Sequence, residues 1–182
     1  VRNAVGDAFE NMVDANQCFT LAEALRSAPR YADLGIAWFE EPLPADDITG
    51  HARLAASTPV PIAVGESLYS PSQFAAYIQH GACSIVQVDV ARIGGITPWL
   101  KVAHLAECHN LAVAPHFLME LHVSLTAASP AAKWVEYIPQ LDAVAHSRVL
   151  IAAGEAVAPD TPGLGIDWRW DEIERRVIDR RT

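Results

Sequence analysis

Six residues of this sequence have the types and the spacing that chemistry needs: Asp14, Glu40, Glu66, Asp89, His116 and Glu136. They stand 26, 26, 23, 27 and 20 residues apart, five near the ends of short apolar runs and Glu136 within one. Three carboxylates on adjacent runs, Asp14, Glu40 and Glu66, make an all-oxygen site for a hard divalent cation, Mg²⁺ first and Mn²⁺ second. Zinc would ask for His or Cys ligands, and none stands on those three runs. A cation held this way keeps open positions for a carboxylate with a 2-hydroxyl, and it polarises that carboxylate as the α-proton leaves. His116 is the natural base, with Asp89 to orient its ring and raise its pKa. Glu136, in its protonated form, can donate a hydrogen bond to the developing oxyanion.

Each of these residues also has an ordinary explanation. A lone acid at a strand end is most often a helix cap or a solvated loop charge, and a lone His beside Pro115 can be a satisfied core histidine. On composition alone Glu41 is as good a ligand as Glu40. Repetition argues for a site, because independent caps do not recur at six consecutive runs.

The elements that must position these groups follow a βα rhythm. Strands are predicted at 11–16, 37–42, 61–66, 85–90, 111–116 and 134–138, and helices at 21–34, 48–57, 71–79, 97–109 and 118–128. Thr20 with Glu23 three residues on is a capping box, Ser70-Pro71 puts proline at a first helical position, and Gly35 and Gly81 stand where helices end. A unit of 20–27 residues with near-continuous apolar strands predicts a parallel α/β sheet. An open sheet would spread the six groups along a line, whereas a TIM-type (β/α)8 barrel converges them on one mouth. Only six strands are accounted for, so the fold expected is an incomplete barrel, with 1–182 read as one partial barrel domain.

Composition bounds the rest. The 182 residues are 51% hydrophobic and carry a net charge of −9. This is enough apolar content for one packed domain, and an acidic surface that disfavours nucleic acid and anionic membranes as partners. No apolar run approaches the roughly 20 residues of a membrane span. Cys18, Cys83 and Cys108 show no metal or disulfide spacing, so free thiols and a cytoplasmic location are expected. No signal peptide is visible, and a start at Val1 suggests a chain cut from something longer.

The ordered set VDANQ (13–17), WFEEPL (38–43), GES (65–67), VQVDVARIGGIT (86–97), APHFLMELH (114–122) and WVEY (134–137), followed by DTPGLGIDW (160–168), resembles the enolase superfamily and its mandelate racemase subgroup. The resemblance covers almost the whole chain. It implies Mg²⁺ ligands at Asp14, Glu40 and Glu66, a general acid–base dyad at Asp89 and His116, and a substrate-carboxylate contact at Glu136. Asn16 and Arg92 match positions near the metal and the dyad. The runs 92–101 and 115–130 are more similar to acid-sugar dehydratases than to racemases. That implies elimination of water from an acid sugar to give a 2-keto-3-deoxy acid, often in a homo-oligomer. The family pattern also includes an N-terminal α+β cap and a Lys-x-Lys strand ahead of Asp14, neither of which is in this sequence. The alternatives are a racemase or epimerase of a 2-hydroxy acid, and a non-catalytic barrel fragment.

The remaining features read as structural. Trp38, Trp99 and Trp134 are expected to anchor packing, and Trp168 and Trp170 to pack against the barrel or a neighbouring subunit. His122 is expected to be structural, and the arginines 175, 176, 180 and 181 to lie on a solvated helix face that starts at Trp170.

Overall fold

The computed structural model describes residues 1–179. Five strands form one parallel sheet in sequential order: β1 (Asn11–Asp14), β2 (Ile36–Glu40), β3 (Ile62–Val64), β4 (Ile85–Val86) and β5 (Ala112–Val113). Asp14 is in register with Glu40, Phe39 with Ile62, Val64 with Val86, and Val86 with Val113.

The crossovers are helical where the sequence carries helix signals. Helix α1 (Arg2–Val5) ends at Gly6, and the Arg2 guanidinium donates to the Leu34 and Gly35 carbonyls, docking it on the next helix end. Helix α2 (Leu21–Asp33) opens on the capping box, in which Thr20 and Glu23 satisfy each other's backbone N–H. Helix α3 (Ile48–Ala55) is capped by Asp47, and α4 (Pro71–Gln79) by Ser70 with proline in its first turn. Helices α5 (Ile96–Cys108) and α6 (Met119–Ala127) complete the crossovers.

Neighbouring residues of a strand face opposite ways, so the sheet buries two different surfaces. Phe39, Ile62, Phe74, Tyr77, Val86 and Trp99 belong to the large core. A smaller cluster of Trp38, Ala63, Ile85 and Ala114 packs with Met12 and Trp134. Trp38 and Trp134 meet edge to face at 6.0 Å, so the anchoring role expected of the tryptophans holds for Trp38 and Trp99, with Trp134 partly buried beside them.

Two expectations need correction. The run at 134–138 is not a strand: pairing with β5 shrinks to one bridge between Val113 and Ala132. β5 has only two paired residues, and Pro139, which has no N–H to offer a ladder, follows the run directly. Strands β3, β4 and β5 also end earlier than their apolar runs, so Glu66, Asp89 and His116 lie two or three residues past the ladder. The closing region, for which the sequence pattern assigns no strands, holds an antiparallel hairpin, β6 (Leu150–Ala152) and β7 (Glu155–Val157), turned by Ala153 and Gly154, both with positive φ. Helix α7 (Trp170–Arg176) follows, and its Arg175 and Arg176 pair with Glu172 on an exposed face. Arg180 and Arg181 lie outside the described residues.

Gly65, between β3 and Glu66, fixes how closely two segments approach. A Cβ there would stand 2.5 Å from the Gln87 backbone, where no side chain can yield. Gly65→Ala is therefore expected to cost on the order of 3 kcal/mol, read as a lower urea midpoint with an unchanged slope.

Two histidines are buried in helices, His51 in α3 and His122 in α6. Burial lowers the pKa of both, against the pull of a carbonyl partner in each case. The unfolded chain then binds protons that the folded chain refuses. Stability is full above the unfolded value, roughly pH 6.5, and falls as pH drops below it, by at most about 1.4 kcal/mol per pH unit per group. His116, Glu40 and Glu41, with raised pKa values, act in the opposite sense, so the His51 part is read by difference: between pH 7 and pH 5 in urea titrations, His51→Phe should lose less stability than the wild type.

The three thiols are free, and burial pushes Cys83 up to about 12. Among the described residues no helix is long and apolar enough to cross a membrane.

Candidate active site at the strand ends

Asp14 and Glu40 are the last residues of β1 and β2 and lie side by side in register. The Asp14 carboxylate accepts from the Asn16 backbone N–H at 2.8 Å and the Asn16 amide at 2.9 Å. Glu40 Oε2 accepts from the Trp38 indole at 3.0 Å. Burial raises the Glu40 pKa; hydrogen bonds from Trp38 and Gln87 oppose this, and the charges of Asp14 and Glu136 add to it. Glu66 points elsewhere. Its Oε1 is 3.4 Å from Arg92 Nη1, its Oε2 is 3.3 Å from His116 Nε2, and its carbonyl accepts from Arg92 at 2.6 Å. Among the described residues no three acids, imidazoles or thiols stand in metal-binding geometry.

Asp89 and His116 come together as the sequence led us to expect. His116 Nδ1 lies 2.9 Å from Asp89 Oδ2, and Asp89 Oδ1 accepts from the N–H groups of Ala91 (2.7 Å) and Arg92 (3.1 Å). Burial alone would raise the Asp89 pKa, but these bonds and the His116 charge hold it below the usual carboxylate range. Burial likewise works against the imidazolium of His116, yet Asp89, Glu66 and Glu136 outweigh it and the repulsion of Arg92, so its pKa is raised. A ring with carboxylates at both nitrogens holds its proton.

Glu136 lies beyond the bridge at Ala132 and reaches the same place from the unpaired segment. Its Oε2 accepts from the Phe117 N–H at 2.6 Å. With Glu40, Gln87, Met12, Trp38 and Trp134 it lines a cavity of ≈ 260 Å³. Gln87 Oε1 is buried there without a partner among the described residues.

Glu41 separates from Glu40 completely. It turns back with φ 35° and is only 2% exposed. Its carboxylate accepts from Gln17 Nε2 (2.9 Å), Ser67 N (3.3 Å) and Ser67 Oγ (3.3 Å), while Gln17 Oε1 accepts from the Ala45 N–H. Burial, then the charge of Glu66, raises its pKa. Of the seven non-glycine residues with positive φ among the described residues, Asn16, Gln17, Glu41, Phe117 and Leu118 surround this region. Such strain persists only where the surroundings over-determine it, and it gathers at functional sites.

The sequence profile of the family described as enolase C-terminal domain-like matches residues 1–172. The chain belongs to that family. Its five parallel strands are therefore part of a TIM-type barrel. An L-talarate/galactarate dehydratase of Salmonella typhimurium is 42% identical over 178 residues, covering 95% of this chain and 45% of that protein. An arabinonate dehydratase of Saccharolobus solfataricus is 35% identical, covering 91% of the chain and 46% of that protein. The crystal structure of L-talarate dehydratase from a Polaromonas species, complexed with Mg and L-glucarate, superposes with a TM-score of 0.90 at 42% identity, covering 95% of this chain and 48% of that one. The enolase-type chain thus spans about half the length of the relatives it matches.

Sequence reasoning paired Asp89 with His116 and placed Arg92 nearby, but it missed the partners that hold the loops. Gln17 and Ser67 stand inside the motifs VDANQ and GES, yet nothing in their types says that they share one carboxylate. Trp38 packs as its type predicts, and its indole also holds Glu40.

Proposed function

We propose that this chain carries the metal and acid–base half of a Mg²⁺-dependent acid-sugar dehydratase. The observation that carries this reading is His116, held between Asp89 and Glu66 and within reach of the Glu136 charge, which also acts on Glu40, the in-register neighbour of Asp14. The donor set fits a hard cation: three carboxylates, with Glu40 pushed up by burial and by the like charges of Asp14 and Glu136, a crowding that a cation relieves. Asp14, Glu40 and Glu66 would hold it, and Glu66 must exchange Arg92 and His116 to do so. Bound there, Mg²⁺ would hold the substrate carboxylate and stabilise the negative charge that develops as the α-proton leaves.

The chain's own residues supply the rest. Asp89 fixes the His116 ring through Nδ1 and leaves Nε2 as the atom that exchanges protons. With Nε2 bare, His116 takes the proton from the carbon α to the carboxylate. It then returns that proton to the 3-hydroxyl, which departs as water while the carbon–oxygen bond breaks. The enol left behind tautomerises to a 2-keto-3-deoxy acid. The raised pKa of His116 suits the second transfer, in which it must donate. Glu136 approaches from the opposite segment to hydrogen-bond the substrate carboxylate. The dehydratase relatives support this outcome over proton transfer alone.

The experiment is a screen of hexarates and aldonates with Mg²⁺, on the chain and on the complete product of its gene, with trapping of keto acid. Keto acid that vanishes with chelator is the expected result. Deuterium entering the α-carbon with no keto acid would replace dehydration by racemisation or epimerisation. No Mg²⁺ binding and no exchange would leave a non-catalytic barrel segment.

A further inference from the structure

His122 is completely buried in α6 and takes no part in the proposed proton transfers. Its Nδ1 lies 2.6 Å from the Phe117 carbonyl, and its Nε2 lies 3.1 Å from the Val90 backbone N. A carbonyl only accepts and an amide N–H only donates, so Nδ1 carries the proton and Nε2 the lone pair. The partners therefore fix one neutral tautomer. Trp99, whose indole donates to the Val88 carbonyl at 3.1 Å, lies with a tilted ring 6.2 Å from the imidazole.

The two backbone groups that His122 joins are telling. Val90 directly follows Asp89, and Phe117 directly follows His116. The ladder does not reach this far: its last paired residues are Val86 and Val113, followed by one bond from the Ala114 N–H to the Val86 carbonyl. Beyond that point the segments bearing the dyad are joined by the Asp89–His116 contact and by the His122 bridge. The segment after His116 also needs holding, because Phe117 and Leu118 both have positive φ without being glycine. Glu136 secures the Phe117 N–H and His122 secures its carbonyl.

We infer that His122 is a positioning residue that clamps the backbone behind Asp89 to the backbone behind His116 and so sets the geometry of the dyad. This rests on the reading of Asp89 and His116 as the proton-transferring pair. His122 touches no substrate-facing atom, so it acts only through them.

Three variants separate the two arms. In His122→Asn the amide stands near the place of Nδ1 and keeps the Phe117 arm. In His122→Gln it reaches the place of Nε2 and keeps the Val90 arm. His122→Phe keeps a ring and neither arm. The readouts are the His122 tautomer by long-range ¹H–¹⁵N correlation, the hydrogen-bonded His116 Nδ1 proton (assigned by its loss in Asp89→Asn), and kcat against KM for keto-acid formation. The wild type should show His122 protonated at Nδ1 only. In folded His122→Phe the His116 proton signal should be lost, and kcat should fall about 10- to 100-fold with KM within about twofold. The single-arm variants should fall between. A His122 protonated at Nε2 in the wild type overturns the clamp, whatever the variants do. So does a single-arm or Phe variant with the wild-type His116 signal and kcat. If the wild type forms no keto acid, the dehydratase reading fails, while the tautomer and the His116 signal still decide the clamp.

Discussion

His116→Asn is expected to lower keto-acid formation by about 10³-fold, within the 10²- to 10⁴-fold range of a lost general acid–base. Asparagine can still donate to Asp89 from near the place of Nδ1, so the Asp89 side of the pair keeps a partner. It has no atom at the position of Nε2, the one proposed to take and return the proton. Substrate affinity should change little, because the proposed carboxylate contacts are other groups, and equilibrium binding of a hexarate measures this separately from turnover. Turnover within about threefold of wild type would remove His116 from the mechanism.

Glu66→Gln is expected to weaken Mg²⁺ binding by at least about 100-fold, or roughly 2.7 kcal/mol, while leaving the fold intact. The amide preserves shape but removes one of the three anionic ligands proposed for the cation, and a hard cation depends on that charge. The fold is insulated from the change. Glu66 lies past the end of β3, and its pair with the half-exposed Arg92 contributes at most about 1 kcal/mol. Calorimetric titration with Mg²⁺ and a thermal melt test the two halves together, and an unchanged Mg²⁺ affinity would falsify the ligand assignment.

The parts of this molecule that were legible in the sequence are those fixed by local chemistry. Thr20 with Glu23 and Ser70 with Pro71 announce their helices because the capping partner lies three residues away. The βα repeat was legible because two-sided burial makes each strand an apolar run. The strand ends were not. In VQVDV the apolar pattern continues to Val90, but pairing stops at Val86, since burial requires no ladder. WVEYI reads as a strand for the same reason and is not one. Glu40 and Glu41 are identical in type, and only the backbone turn at φ 35° sends one to the site and the other inward. The bridge through His122 was hidden because both of its partners are main-chain atoms, and every residue has those.

The buried Glu41 has a consequence for how such a site can change over generations. Through Gln17 and Ser67 it ties together the chain just after Asp14, just after Glu40 and just after Glu66. A mutation in any one of these loops strands the partners offered by the other two, so single steps are penalised and drift is slow. The three stretches must be inherited, or transplanted by an engineer, as one cassette. On the dehydratase reading, new substrate preferences then have to arise elsewhere around the mouth, in segments that Glu41 does not bind.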